Sequence, residues 1–147
     1  MPDQETIERA REDAREGKSP STQAGEFVRE EIHHIREGKH GARSPQQAIA
    51  IGLSKARRAG VKLSPPKGSA SVKKKAAQDE RASEHPRRKV SRTRSRATER
   101  ALERESGRSA SKSSLSKQTK KAAASRGKRS RSEAAIKAAR TRKDRAA

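Results

Sequence analysis

The chain contains no cysteine, tryptophan or tyrosine, and Phe27 is its single aromatic residue. Without cysteine, neither disulfides nor thiolate metal sites can form. Without a series of aromatic residues, the base stacking used by single-strand binders and RNA-recognition sheets has no platform. Arginine can also stack on bases, so structured RNA stays open as a partner.

Long hydrophobic runs are also missing. The longest apolar stretch, at residues 48–53, is far shorter than the roughly 20 residues that a membrane-spanning helix needs. The first residues are acidic and polar, which is unlike the basic and apolar start of a secretory signal. We therefore expect a cytoplasmic protein that works at the nucleoid and does not insert into membranes.

Positive charge is abundant. The chain has a net charge of +21, and only 27% of its residues are apolar. Residues 1–38 carry −4, residues 39–66 carry +6, and residues 67–147 carry +19 from 27 basic and 8 acidic side chains. So few apolar side chains do not offset a backbone entropy of roughly 1–2 kcal/mol per residue. We predict that residues 64–147 form a disordered tail rich in Lys, Arg, Ser and Ala.

Three helices are predicted in the front of the chain, near residues 2–16, 21–37 and 44–59. The second has an apolar stripe at helical spacing that includes Phe27, Ile32 and Ile35. The fold class is therefore mainly α, with a small helical hairpin or three-helix head over residues 1–63. Such a small core is marginal on its own, and a homodimer through the head is a possible partnership.

Local signals place the ends of these helices. Ser19 and Ser44 each precede a proline and suit the N-cap position, and Gln47 would complete a capping box with Ser44. The three predicted helices end at glycines, which favour C-terminal stops. In the tail, segments near 95–105 and 130–142 are predicted to become helical when phosphates neutralise their cations.

One string is more specific than the rest. Residues 47–60 read Q-A-I-A-I-G-L-S-K-A-R-R-A-G, which resembles the shared Q-A-I-A-I-G-L-S-x-A-R-x-x-G core of a family of short, basic bacterial proteins of uncharacterised function. The resemblance implies a bacterial origin and brings no catalytic residue or ligand. Gly52 lies inside this helix at a cost of roughly 1 kcal/mol against Ala, which indicates close approach of another element. The tail is similar only in composition to the tails of bacterial histone-like proteins.

Histidines and carboxylates cluster in the second predicted helix and just after it. His33 with Glu37 and Glu30 with His34 have the i, i+4 spacing that can hold a metal, but the two pairs point in different directions on the polar side. We expect a solvated helix face here, no metal and no cofactor. No nucleophile–base arrangement or Gly-rich phosphate loop is present in the sequence, so we expect no enzyme activity.

The predicted function is sequence-independent DNA binding by phosphate neutralisation, as in a nucleoid-associated or histone-like accessory protein. Two alternatives stay open: a structured-RNA or ribosome-associated binding protein, and a protein-interaction adaptor that uses the amphipathic head. The predicted nucleic-acid-binding residues are the exposed cations of the third helix and the basic clusters of the tail: Arg43, Lys55, Arg57, Arg58, Lys73, Lys74, Lys75, Arg87, Arg88, Lys89, Arg92, Arg94, Arg96, Arg100, Arg104, Lys120, Lys121, Lys128, Arg129, Arg131, Arg140, Arg142 and Lys143.

Overall fold

The computed structural model describes residues 2–84 and 91–146, and these residues form helices and connecting turns without a strand. The predicted mainly-α class is therefore confirmed. The chain divides into two compact units, Met1–Ser111 and Lys112–Ala147. Their helices, in chain order, are α1 (Gln4–Arg15), α2 (Pro20–Arg36), α3 (Pro45–Arg58), α4 (Ala70–Glu84) and α5 (Arg92–Glu103) in the first unit, followed by a 3-10 turn (Gly107–Ala110), and α6 (Lys112–Ser125) and α7 (Lys128–Ala146) in the second.

Serine caps start α2 and α3. The Ser19 hydroxyl accepts a hydrogen bond from the Thr22 N–H at 3.4 Å, and the Ser44 hydroxyl accepts one from the Gln47 N–H at 3.2 Å. The predicted capping box differs in one detail, because the Gln47 side chain accepts from the N–H of Arg43, at 2.8 Å, where a capping box would bond the N–H of Ser44. Both caps satisfy amide donors that a helix start leaves open.

Glycine ends the first three helices, as the sequence predicts. Gly17, Gly38 and Gly60 have φ angles of 71°, 76° and 96°. Side chains rarely adopt this left-handed conformation, and glycine adopts it without steric cost. The chain therefore reverses direction after each helix, and α1 and α3 both pack against α2.

The core of the first unit is built from two large side chains and many alanines. Phe27 and Ile35 of α2 are 1% and 2% exposed. Around Phe27 lie Ala10, Ala24, Ala56 and Val61, and around Ile35 lie Ala42, Ala48 and Ala110. Because alanine adds little bulk, the helices approach closely. A Cβ at Gly52 would lie 2.7 Å from the Val28 Cα, which confirms the close approach predicted for this glycine.

The structure does not show the long disordered tail that we predicted from residue 64. Helix α4 packs on α3 and buries Ala76 and Asp79. The Asp79 carboxylate accepts a hydrogen bond from the Ser54 hydroxyl at 2.6 Å and one from Arg58 Nε at 2.8 Å. This buried carboxylate, the buried Ala76 and the ion pair of Lys62 with Glu84 at 3.1 Å together hold α4 against the rest of the first unit.

The segment after α5 also joins the first unit. The Gly41 N–H donates to the Leu102 carbonyl at 2.9 Å, and the Ala42 N–H donates to the Ser106 carbonyl at 3.3 Å. Ala110 is fully buried, and its carbonyl accepts from Arg36 Nε at 2.9 Å. Composition misses these contacts because they are long-range backbone bonds that need no hydrophobic pattern.

The second unit differs from the first in having no buried side chain among its described residues, from Lys112 to Asp144. Helix α7 covers the segment 130–142 and α5 overlaps the segment 95–105, the two segments of the tail for which we predicted helices on binding phosphates.

Candidate nucleic-acid interface

Helix α7 and the residues around it carry the densest positive charge. By sequence, residues 112–147 have 13 basic and two acidic side chains, a net charge of +11. Every described side chain of α7 is exposed. Among them the structure has one ion pair, between Arg129 Nε and Glu133 Oε1 at 3.1 Å. The other predicted cations of α7 project into solvent on several sides: Lys128, Arg131, Arg140, Arg142 and Lys143.

Helix α6 adds a smaller cluster. Lys120 and Lys121 lie in its last two turns, and both are exposed. The α6 helix otherwise consists mainly of Ser, Ala and further Lys residues. The described side chains of these two helices therefore offer exposed cations, and none of them is buried.

Helix α5 carries an ordered basic stripe. Arg92, Arg96 and Arg100 follow one another at i, i+4 and line a shallow groove with Thr93 and Ala97. Four residues of helix rise separate successive arginines by about 6 Å along the axis. Arg94 and Arg104 are also exposed, outside this groove. The stripe can present several guanidinium groups in a row to a charged backbone.

The predicted cations of α4 have two different environments. Lys73 and Lys74 are exposed. Lys75 is exposed too, but its Nζ lies 3.3 Å from the Asp79 carboxylate. The predicted cluster Arg87, Arg88 and Lys89 lies outside the described residues.

Two of the cations predicted to project from α3 towards phosphates, Lys55 and Arg58, form ion pairs inside the first unit. Lys55 was predicted to face phosphates, but its side chain is only 20% exposed, and its Nζ lies 3.1 Å from Glu30 Oε1 and 2.8 Å from Glu31 Oε2. Arg58 donates to Asp79. These two cations hold the first unit together, and the ammonium of Lys55 already has two carboxylate partners.

Arg57 and Arg43 stay closer to their predicted environment. Arg57 is half-buried and has no ion pair within the described part of the chain. The Arg43 side chain is 83% exposed, and its Nε lies 3.6 Å from Glu105 Oε1. Both guanidinium groups can therefore still reach solvent.

Two buried charges in the first unit have shifted pKa values. Burial opposes ionisation of Asp79, but the hydrogen bonds from Ser54 and Arg58 outweigh it and hold the pKa of this carboxyl below its usual value. Burial likewise disfavours the ammonium of Lys55, yet its contacts with Glu31 and Glu30 raise the pKa of this amine above its usual value. Both groups are therefore charged at neutral pH.

We expected the histidine cluster to lie on a solvated helix face, but two of its three histidines are largely covered. His33 is exposed and pairs with Glu37 at 2.9 Å. The His34 side chain, however, is 12% exposed and lies against Asp3 and Glu30, while that of His40 is 18% exposed and lies against Glu31. A helical wheel of α2 misses this because Asp3 at the start of α1 and Lys55 of α3 cover that side of the helix.

The comparison with protein families identifies one region of the chain. Residues 4–68 match a family of unknown function, DUF6496. The DUF6496 match contains α1, α2 and α3 and stops just before α4 begins. It agrees with the resemblance to an uncharacterised family and extends well beyond residues 47–60.

The other comparisons add no relative. Neither the search of curated proteins nor the search of solved structures found a match to the chain. Within the described residues, no helix combines the length and the apolar character needed to cross a membrane. The DUF6496 match and the geometry are therefore the basis for any functional argument.

Proposed function

We propose that this protein binds duplex DNA without regard to sequence, by neutralising backbone phosphates with the cations of its second unit and of α5. The observation that carries the proposal is the contrast between paired and unpaired charges. In the second unit, 13 cations face two acidic residues, and the described side chains there make a single ion pair.

The buried and half-buried carboxylates of α1 and α2, in contrast, are engaged by cations of the first unit. Glu26 pairs with Arg9 at 3.0 Å and Asp13 pairs with Lys18 at 2.7 Å. Glu30 and Glu31 share Lys55. These side chains are already paired within the first unit. This contrast between the two units supports an external polyanion as the partner of the second unit.

A polyanion would also stabilise α7 itself. A helix that is polar on all sides and carries like charges has little internal reason to persist in isolation. Each cation that displaces a condensed counterion from a duplex contributes to binding, and log K falls with log salt by about 0.9 per phosphate neutralised. About ten contacts would give a slope near −9.

Duplex backbone is favoured over base recognition by the chemistry of the cations. Lysine offers a point charge, and arginine can fork onto phosphate oxygens. The second unit contains no aromatic residue on which a base could stack. Contacts with phosphates position a protein on the duplex but carry no sequence information. Two duplexes of unrelated sequence should therefore bind with the same affinity.

The experiment compares two charge-matched variants of the full chain. One combines Arg131→Gln, Arg140→Gln and Arg142→Gln in α7. The other combines Arg11→Gln, Arg15→Gln and Arg29→Gln, which removes three exposed cations from the first unit. Binding to two unrelated duplexes is measured by fluorescence anisotropy from 50 to about 300 mM salt, as the steep salt dependence of phosphate contacts requires.

The α7 variant should lose affinity and its salt slope should shrink by up to about 2.7 units, while the first-unit variant should change little. Equal losses in both variants would show that only net charge matters and would contradict an interface on α7. Weak duplex binding at physiological salt, with tight binding to a structured RNA of equal length, would move the function to RNA.

A further inference from the structure

The buried cluster around α2 has more hydrogen-bond acceptors than its one ammonium donor satisfies. Glu30 and Glu31 are 3% and 1% exposed, and the single ammonium of Lys55 lies between them. Lys55 contacts Glu31 through Oε2. The other oxygen, Glu31 Oε1, has almost no exposed surface and no hydrogen-bond donor among the described residues. An unpaired buried carboxylate oxygen is costly, so it points to a missing partner.

His40 supplies the second unpaired acceptor. Its Nδ1 lies 3.1 Å from the Gly41 carbonyl, and because a carbonyl can only accept, Nδ1 carries the proton. In the neutral ring this leaves a lone pair on Nε2. That atom lies 3.4 Å from Glu31 Oε1. Two acceptors at this distance fit two ligands on one metal ion.

His34 completes a set of three ligands. One ring nitrogen of His34, one of His40 and one oxygen of Glu31 all lie within 4.8 Å of one another. The two imidazole rings meet edge to face at 81°, with centroids 6.3 Å apart. Metal bonds of about 2.0–2.2 Å in tetrahedral geometry place ligand atoms roughly 3.3 Å apart, which small side-chain movements reach from here.

We propose that Glu31, His34 and His40 bind one divalent transition-metal ion of the Zn²⁺ class. Two imidazoles and one carboxylate are a donor set that suits zinc and its neighbours rather than Mg²⁺ or Ca²⁺. The surroundings resemble those of metal ligands in general: a backbone carbonyl fixes the tautomer of His40, and Lys55 orients the other oxygen of Glu31.

The metal has a structural consequence in this fold. His40 lies in the loop between α2 and α3, and the next two residues, Gly41 and Ala42, donate to the carbonyls of Leu102 and Ser106. An ion held by α2 and by His40 therefore fixes the loop on which the end of α5 and the 3-10 turn are seated. This role is independent of the proposed DNA binding.

The test uses the full chain after dialysis against a chelator. Titration calorimetry with Zn²⁺, and visible absorption with Co²⁺, are run on the wild type, His40→Ala, His40→Gln and the control His33→Ala. His33 is exposed on the same helix, outside the cluster. Thermal unfolding of each variant without metal shows whether it still folds.

The wild type and His33→Ala should each bind one ion per chain and unfold at a higher temperature with Zn²⁺. Both His40 variants should bind at least about 100-fold more weakly and show no thermal shift, while circular dichroism shows an intact helical fold. Two results would overturn the proposal. One is that the wild type, at about 100 micromolar, binds no metal when about one equivalent of Zn²⁺ is added. The other is that His40→Gln binds Zn²⁺ as tightly as His33→Ala does.

Discussion

At the scale of single residues, buried charges decide more of this structure than large apolar side chains do. Among the residues that the structure describes, only Phe27 and Ile35 are large, apolar and fully buried. Lys55 and Asp79, by contrast, each tie two helices together. An unpaired buried charge is far more costly than an exposed one. Pairs like these therefore fix which helices pack together.

Asp79 gives a prediction with a defined pH dependence. Because its folded-state pKa lies below its usual value of 3.8, the ionised carboxyl stabilises the fold above that pH, and this stability is lost as the pH falls through the lower folded-state pKa. Asp79→Asn should cost about 1–3 kcal/mol at pH 7. The difference from the wild type should be constant from pH 7 to about pH 5 and should narrow as the pH falls below about 3.8.

Thermal unfolding monitored by circular dichroism across this pH range checks the prediction. Glu12→Gln is the control, since Glu12 is exposed and its side chain makes no ion pair within the described residues. It should unfold like the wild type at every pH. A constant difference between Asp79→Asn and the wild type down to pH 3 would contradict an ionised anchor.

At the scale of helices, local sequence signals and packing act on different features. The caps at Ser19 and Ser44 and the stops at Gly17, Gly38 and Gly60 follow from short-range rules, and the structure has them where the sequence predicts them. Short-range rules do not predict which helices pack against each other. Nothing in α4 alone shows that Asp79 will meet Ser54 and Arg58 of α3, because those contacts span more than 20 residues.

The crossing of α2 and α3 gives a prediction with an internal control. Gly52→Ala gains helix propensity, but the new Cβ would lie 2.7 Å from the Val28 Cα and 3.0 Å from the Phe27 carbonyl oxygen. Backbone cannot yield as a flexible side chain can. We expect a net loss of about 1–3 kcal/mol in the free energy of unfolding.

Gly25→Ala in α2 makes the same chemical change in open space, since nothing lies within 4 Å of its added Cβ. It should stabilise the protein by about 0.5–1 kcal/mol. Urea unfolding of the two variants measures both effects. Similar stabilisation by both substitutions would show that the helices do not approach as closely as the structure has them.

At the scale of the whole molecule, the boundary of the folded unit differs from the compositional boundary. Composition changes near residue 64, and the DUF6496 match stops at residue 68. The compact unit nevertheless continues to Ser111. The added part contributes the Asp79 carboxylate and the Ala110 carbonyl, both of which accept from cations of the first three helices.

Truncation tests this boundary directly. A chain ending at residue 111 should unfold at the same temperature as the first unit of the full protein, because it keeps both anchors. A chain ending at residue 66 loses them, and we expect a decrease of about 8 °C or more, which corresponds to roughly 2 kcal/mol for a domain of this size. Scanning calorimetry measures both. Equal unfolding temperatures would mean that residues 67–111 add no stability.

The sequence by itself determined the first three helices with their glycine stops, the serine caps of α2 and α3, the close approach at Gly52 and the concentration of positive charge after residue 66. These features depend on neighbouring residues or on composition. Tertiary structure alone decided that Lys55 is paired inside the fold, that Asp79 and Ala110 anchor later segments, and that His40 lies against Glu31. Each of these features depends on contacts between residues that are distant in sequence. The packing of α1 and α3 against α2, and of α4 against α3, brings those residues together, and no local sequence pattern encodes that packing.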